Sequence, residues 1–468
     1  MLYLGDTNYK DVNFSFGFDG EQLELVPRPG ERNKAQMLEP GFCQNGIRHF
    51  SGEGTPIESD YFELNPNNAP KKLIVFPESD TFAPNPMFFR SFRVGMRAFF
   101  EVDRRFPIVG LRFHSPHLSK CYDDKADLDM RYESEAARFS VSTKRLKPLS
   151  CDFTFKGRPV RATLFHIEKM KHNSGEPPLT VESALDLNFC AESDFSFIFD
   201  LAIVARDFMS FCIQASSVEF DAVEVLVEKP VDDWRREHAE KEHIVSCGGS
   251  LTLRQRQTTS AGKIKYHIPL GTVDGFEDAL FQKIADGELP LRHLPSPDRA
   301  SVWNDARIIL LAASFDQETS LLYPEGIPHK KSTMEARSIV VSALEEAEGK
   351  AQNKKIGKKV RKLAKRLVRV TEEGDPFSSR MVQVYKDHPD LIKDLCPSFG
   401  SRESFAELAE RVQSLRNSLA HGHLEIAYGN SIVDDVLALE KAVLAIQMLR
   451  LGLKDEDVVR MVRMAQKR

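Results

Sequence analysis

The sequence predicts an α+β chain of more than one domain: a β-rich, sandwich-like N-terminal region with an inserted α/β segment, followed by an all-α helical bundle. Three observations predict it. Apolar residues recur with a period of two through much of the first part of the chain and with a helical period after about residue 296. A proline-containing stretch, residues 289–297, separates the two regimes. At 468 residues, 41% of them apolar and 28% charged, the chain is longer than one hydrophobic core usually organises. The expected divisions are a β-rich domain over 1–180, an α/β middle segment continuous with it over 181–295, and the bundle over 296–468.

Within the first region Phe92, Val94, Met96, Ala98 and Phe100 alternate with Arg93, Gly95 and Arg97, which places apolar groups on one face of a strand. Runs at 72–76, 138–142, 151–155, 160–166, 223–227, 250–256 and 263–269 read as further strands, with Lys156-Gly157 turning between two of them. One helix is expected among the strands, over 194–214, where Phe197, Leu201, Val204, Phe208 and Phe211 share a face. In the bundle, Ser296 as a cap and Pro297 at the first helical position start a helix running to 322. The next spans 332–348 behind a Ser332-x-x-Glu335 capping box, and 354–370, 378–386, 403–421, 432–451 and 454–466 follow. Antiparallel packing of these helices needs only short connections.

Residues 195–213 are the strongest apolar stretch, but Asp200, Arg206 and Asp207 would be costly in lipid, so a buried helix is expected there and no membrane span. The chain starts Met-Leu-Tyr-Leu-Gly-Asp, without a basic leader or a cleavage site, and a cytoplasmic location is expected. Seven cysteines, at 43, 121, 151, 190, 212, 247 and 396, are odd in number, scattered and without a Cys-x-x-Cys pair, as reduced thiols would be. The net charge of −5 divides unevenly: 28 Lys+Arg face 25 Asp+Glu from Pro297 onward, leaving 36 against 44 before it. Residues 350–369 hold ten Lys/Arg and no acid, a run that could attract a polyanion, although the overall acidic balance argues against indiscriminate nucleic-acid binding.

The segment 405–422 carries the most chemistry. Phe405, Leu408, Val412, Leu415 and Leu419 form a buried stripe that anchors a helix, and Gly422 is its stop. Asn417 and His421 are one turn apart on the same face, with Arg416 beside Asn417. Cleavage of RNA can use such groups, because the strand supplies its own 2′-hydroxyl nucleophile. Histidine moves protons, arginine offers a fork of donors to phosphate oxygens, and asparagine orients.

Arg416, Asn417 and His421 resemble the motif of the HEPN superfamily, in which an arginine, a polar residue and a histidine stand at short spacing in a helical bundle, many of whose members are metal-independent ribonucleases. The layout, a strand-rich region before a terminal bundle, is similar to the ApeA-type proteins of bacterial antiphage defence. The resemblance implies an endoribonuclease of abortive infection, with RNA, tRNA foremost, as substrate. It implies a homodimer with two motifs facing each other, a phage-derived protein as trigger, and the N-terminal region as sensor or regulator. His421 would be general base or acid, Arg416 would stabilise the phosphorane and Asn417 would orient. No metal, cofactor or membrane partner is implied.

Other candidates rank below these. Arg112 to His117 and Arg161 to His166 repeat the spacing, and Arg236 to His243 falls within looser limits, but none has Asn or Asp after the arginine and the first two lie in expected strands or at their ends. In 354–370, Ile356, Val360, Leu363, Leu367 and Val370 read as a core stripe, with Lys358, Lys362, Lys365, Arg366 and Arg369 forming a solvated face in preference to an RNA track. Asp316 and Glu318 could buttress Arg416, although a solvent-facing pair is the favoured expectation. His114 with His117, and His238 with His243, read as ordinary histidines, and the 32 phenylalanines as β-core packing. No phosphate loop, dinucleotide glycine fingerprint or serine-hydrolase elbow is present, and no clustered carboxylates suggest a metal-dependent DNase. The alternative is a non-catalytic binding or oligomerisation protein with a HEPN-like bundle.

Overall fold

The computed structural model describes residues 2–9, 11–18, 22–37, 50–57, 71–83, 91–102, 106–122, 128–133, 138–143, 147–170, 179–216, 218, 220, 222–230, 243–253, 267–295, 304–327, 331–350, 353–372, 377–421 and 430–467. These residues are an α+β mix that divides into two compact units, Met1–Glu288 and Leu289–Arg468.

In the first unit every strand pairing is antiparallel. Twelve strands form one hydrogen-bonded sheet: β1 (Leu2–Tyr9), β2 (Val12–Phe18), β3 (Gln22–Pro27), β4 (Phe50–Ile57), β5 (Lys71–Ala83), β6 (Ser91–Val102), β7 (Ile108–His114), β10 (Leu149–Phe155), β11 (Arg158–Met170), β12 (Leu179–Glu192), β13 (Ala222–Pro230) and β14 (His243–Leu253). The small hairpin of β8 (Leu128–Glu133) and β9 (Arg138–Thr143) stands apart from it. The β-rich region, expected to be sandwich-like, forms one continuous sheet that forks. On one edge β6 pairs with β5; on the other it pairs with β3 through Phe92–Gly95 and with β14 through Ala98–Val102. Since β3-β2-β1-β4-β5 also pair in series, six strands close into a ring and the rest fan out as β14-β13-β7-β12-β11-β10. Alternating polar and apolar residues report one buried face per strand and are silent on whether a sheet closes or faces another.

The ring interior is filled by Tyr3, Phe14, Phe16, Phe18, Leu23, Leu25, Leu73 and Val75, with Phe99 packed against them. Phe99, half-buried, belongs to the face of β6 that alternation assigns to polar residues; Ala98 and Phe100, on the other face, are fully buried. The reason is α3 (Phe195–Ile213), which covers the outer side of β5 and β6 through Phe199 on Phe76 at 4.3 Å and Phe195 on Phe100 at 5.4 Å. Strand β5 is therefore apolar on both sides, and Leu73, Ile74, Val75 and Phe76 are all buried. Asp194 caps α3 by accepting from Ser196 N and Phe197 N, and Gln214 ends it at φ 52. Gly249 lets β14 reach β6, because a Cβ there would press on the Glu101 carbonyl oxygen.

Two short helices, α1 (Arg32–Met37) and α2 (Leu118–Cys121), lie in connections, and α4 (Phe276–Ala285) packs on α3 with Phe281 stacked 4.0 Å from Phe208. The outer edge of β10 meets α4: Asp278 Oδ1 accepts from Asp152 N at 3.2 Å, Gln282 Oε1 accepts from Thr154 N at 2.9 Å, and Gln282 Nε2 donates to Thr154 O at 3.2 Å. The strand expected over 263–269 is not formed where it is described: 267–269 is irregular, with Ile268 N donating to Cys212 O, and the rest lies outside the described residues. Cys121, Cys151, Cys190, Cys212, Cys247 and Cys396 are free thiols. Among the described residues, no helix is long and apolar enough to cross a membrane.

The second unit holds α5 (Asp305–Leu322), α6 (Lys331–Gly349), α7 (Lys354–Glu372), α8 (Phe377–Asp387), α9 (Pro389–Leu395), α10 (Arg402–Ala420), α11 (Asn430–Arg450) and α12 (Asp455–Lys467). The start of α5 differs from the expectation. Asn304 is extended and caps the helix by accepting from Arg307 N at 2.9 Å, so the helix does not include residue 304, and the Ser296-Pro297 start lies outside the described residues. Ser332 lies inside α6, where it cannot serve as the non-helical cap of a box with Glu335. Helix α9, with Pro389 in its first turn, lies outside the helices that the spacing predicts. The core joins Phe315 of α5, Phe377, Met381 and Val384 of α8, Phe405, Leu408 and Val412 of α10, and Leu439, Val443 and Ile446 of α11.

Candidate functional site

Helix α10 positions the motif. Ser401 caps it in a reciprocal pair with Ser404: Ser401 Oγ accepts from Ser404 N at 3.0 Å and Ser404 Oγ accepts from Ser401 N at 3.2 Å. Phe405, Leu408, Val412 and Leu419 are buried as expected, while Leu415 is half-buried. Tyr385 of α8 lies 5.4 Å from Phe405 and fixes that side of the helix.

The helix ends one residue earlier than the spacing predicted. Ala420 is its last residue and His421 its C-cap, at φ −91 and ψ 5, with His421 N donating to Asn417 O at 3.1 Å. Gly422, the expected stop, lies outside the described residues. Asn417 and His421 are both exposed, and among the described residues no side-chain partner meets either one. Among the described residues, then, an imidazole and a carboxamide one turn apart are left open to a ligand.

Arg416 turns toward the bundle. Its Nη2 lies 2.8 Å from Asp316 Oδ2 of α5, and its guanidinium sits 5.8 Å from the centre of the Phe377 ring of α8. Arg380, also of α8, converges on the same place. Its Nη1 donates to Ser320 Oγ at 2.8 Å and to Asp316 O at 3.2 Å, and lies 3.7 Å from Asp316 Oδ1. Burial pushes the Asp316 carboxyl above the usual range, and the guanidinium charges of Arg416 and Arg380 pull the other way. Asp316 engages one corner of the Arg416 fork, and a guanidinium carries five N–H donors. Among the described residues no contact joins that guanidinium to the Asn417 or His421 side chains; the three groups share the last turn of α10 without touching.

The solvent-facing pair expected at Asp316 and Glu318 is not what forms. Asp316 is the buttress of Arg416, and Glu318 is fully buried, accepting from Gln447 Nε2 at 2.9 Å and pairing with Arg450, both of α11. Burial raises the Glu318 carboxyl, against the hydrogen bond from Gln447 and the charge of Arg450. Residues 316 and 318 of a helix face different ways, so one meets α8 and α10 and the other meets α11. Arg380 and Phe377 were not singled out in the sequence. Phe377, Met381, Val384 and Tyr385 mark the buried side of α8, but nothing local marks Arg380 as the residue that reaches Asp316.

Competing Arg–His spacings are occupied otherwise. Arg112, in β7, donates from Nε and Nη2 to Asp186 at 2.8 and 2.9 Å, and His117 is buried. Arg161 and His166 share β11, and Arg161 is paired with Asp152. Arg236 and His238 lie outside the described residues. Among the described residues, no group of three His, Cys, Asp or Glu side chains is placed to hold a metal ion. Comparison of the chain with protein families, curated proteins and solved structures finds no match.

Proposed function

We propose that the helical unit is a HEPN-type, metal-independent endoribonuclease, cutting RNA, with tRNA the leading substrate, in antiphage abortive-infection defence. What supports the reading is the end of α10: His421 and Asn417 exposed one turn apart and without a side-chain partner among the described residues, next to an Arg416 held by Asp316 on a second helix. In this reading His421 takes or gives the proton of the 2′-hydroxyl or of the leaving oxygen, worth roughly 10² to 10⁴ in rate. Arg416 meets the charge that builds on the phosphorane, with the donors that Asp316 leaves open, and Asn417 orients the phosphate or the proton carrier. A homodimer would bring a second His421 for the complementary proton transfer, since one imidazole cannot be base and acid at once. The N-terminal unit would sense the trigger.

The purified chain is expected to cleave RNA in the presence of EDTA, leaving a 2′,3′-cyclic phosphate and a 5′-hydroxyl, and to spare a strand whose cut site lacks the 2′-hydroxyl. His421→Ala is expected to lower the rate at least about 100-fold. Full cleavage by that variant would reject the assignment, whereas absence of motif-dependent cleavage and of motif-dependent growth arrest would favour a binding protein.

A further inference from the structure

Helices α6 and α7 are joined by the short link 350–353 and packed against each other, with Arg361 paired to Glu348 across them and Lys350 paired to Glu346. The residues turned inward are Arg337, Val341, Leu344 and Glu348 on α6, and Gly357, Val360 and Ala364 on α7. The apolar stripe of α7, expected to be core, is only half covered by this contact. Ile356 is 55% exposed and Leu363 57%. The side chains of Leu367 and Val370 lie outside the described residues.

Helical geometry places these exposed groups together. Counting 100° per residue from the inward positions, Ile356 and Leu363 lie about a quarter turn to one side of α7. Ala336, Val340 and Ala347 lie about a quarter turn round α6, and because the helices run in opposite directions this is the same side of the hairpin. The opposite side carries Ser338, Ser342 and Glu345 from α6, and Lys354, Lys358 and Lys365 from α7, all exposed. Lys359 and Arg366 border the apolar side along α7. The hairpin thus carries Val340, Ile356 and Leu363 along one side and mostly polar residues along the other, where Met334 is also exposed; Ile339 is exposed on the outer face of α6, and α7 is strongly basic.

We infer that this hairpin is a docking surface for an anionic lipid membrane, with its apolar side pressed into the headgroup boundary and the α7 cations among the phosphates. An apolar side beside a basic one is the pattern that binds such a surface, and a helix lying in the interface needs none of the length or uniform apolarity of a span. The absence of an expected membrane span therefore does not bear on it. An RNA backbone would satisfy the cations and leave Val340, Ile356 and Leu363 in water. A second hairpin would cover the apolar side but bring two runs of ten cations together, while Glu346 and Glu348 are already engaged within the chain.

The test is co-sedimentation of the full-length chain with vesicles of phosphatidylcholine, alone or with about a third phosphatidylglycerol. Binding is expected only to the anionic vesicles, weakening as salt rises. The exposed double substitution Ile356→Ser with Leu363→Ser should lower partitioning roughly tenfold or more, and Lys359→Glu with Arg366→Glu at least as much, with circular dichroism unchanged. No binding to anionic vesicles would overturn the inference, as would binding indifferent to the serine substitutions. So would RNA retention that depends on the lysines alone, or a dimer that the serine substitutions split, if vesicles stay unbound. Because the readout is lipid binding and not cleavage, its failure leaves the nuclease reading untouched, and the converse holds.

Discussion

His293 gives the helical unit a stability that falls on the acid side of neutrality. Its imidazole is buried, its Nδ1 has no partner among the described residues, and burial, helped by the charge of Arg307, pushes it down to about 4 from the ordinary 6.5. A base whose folded value is depressed favours the folded state while neutral, so the contribution is complete above pH 6.5 and is lost as pH falls through the window to about 4. Relative to pH 7.5 the linkage amounts to about 2 kcal/mol at pH 5 and about 3 kcal/mol at pH 4. Glu318 and Glu440, raised by burial, act in the opposite sense and lose stability as pH climbs; they are common to the wild type and a His293→Leu chain, so the difference between the two isolates the histidine. Urea midpoints followed by circular dichroism from pH 8 to 4.5 should show the wild type losing about 2 kcal/mol more than His293→Leu by pH 5. A difference constant to within about 0.5 kcal/mol across that range would refute the reasoning.

Two further outcomes are expected. Asp316→Asn keeps the shape but removes the charge that holds Arg416 and Arg380, and single-turnover RNA cleavage should fall roughly tenfold, with binding less affected. An unchanged rate would show that Arg416 works without its buttress. Glu318→Ala removes the buried carboxylate that pairs with Arg450 and accepts from Gln447 and should cost about 3–5 kcal/mol, read as a large drop in the thermal midpoint; a shift of only a degree or two would mean that water or another group satisfies them.

Much of the architecture was legible because its signals are local. Helices α3 and α10 were read from stripes such as Phe197-Leu201-Phe208 and Phe405-Leu408-Val412, which are buried where the pattern put them. Lys156 and Gly157, both at positive φ, form the predicted turn between β10 and β11. What failed depended on distant partners. Strand β12 was missed although Leu185, Leu187 and Phe189, all buried, alternate with Asp186 and Asn188; its burial on the other face as well, through Ala184, depends on what packs there. The ring depends on β6 splitting one of its edges between β3 and β14, which no single segment encodes. Asp316 and Glu318 were misjudged because charged residues read as exposed until Arg416, Arg380, Gln447 and Arg450, far along the chain, are seen to meet them. Ile356 and Leu363 failed the other way: a stripe predicts that something covers it, without saying that the cover lies within the same chain.

Asp278 and Gln282 stand one helical turn apart on α4, the rise that lets them answer alternate amides of β10. Their carboxylate and carboxamide take the place a thirteenth strand would occupy. A foreign polypeptide seeking to extend the sheet there finds the Asp152 and Thr154 amides and the Thr154 carbonyl already answered by side chains, which guards part of that edge against fibrous self-association at the terminus the ring does not close.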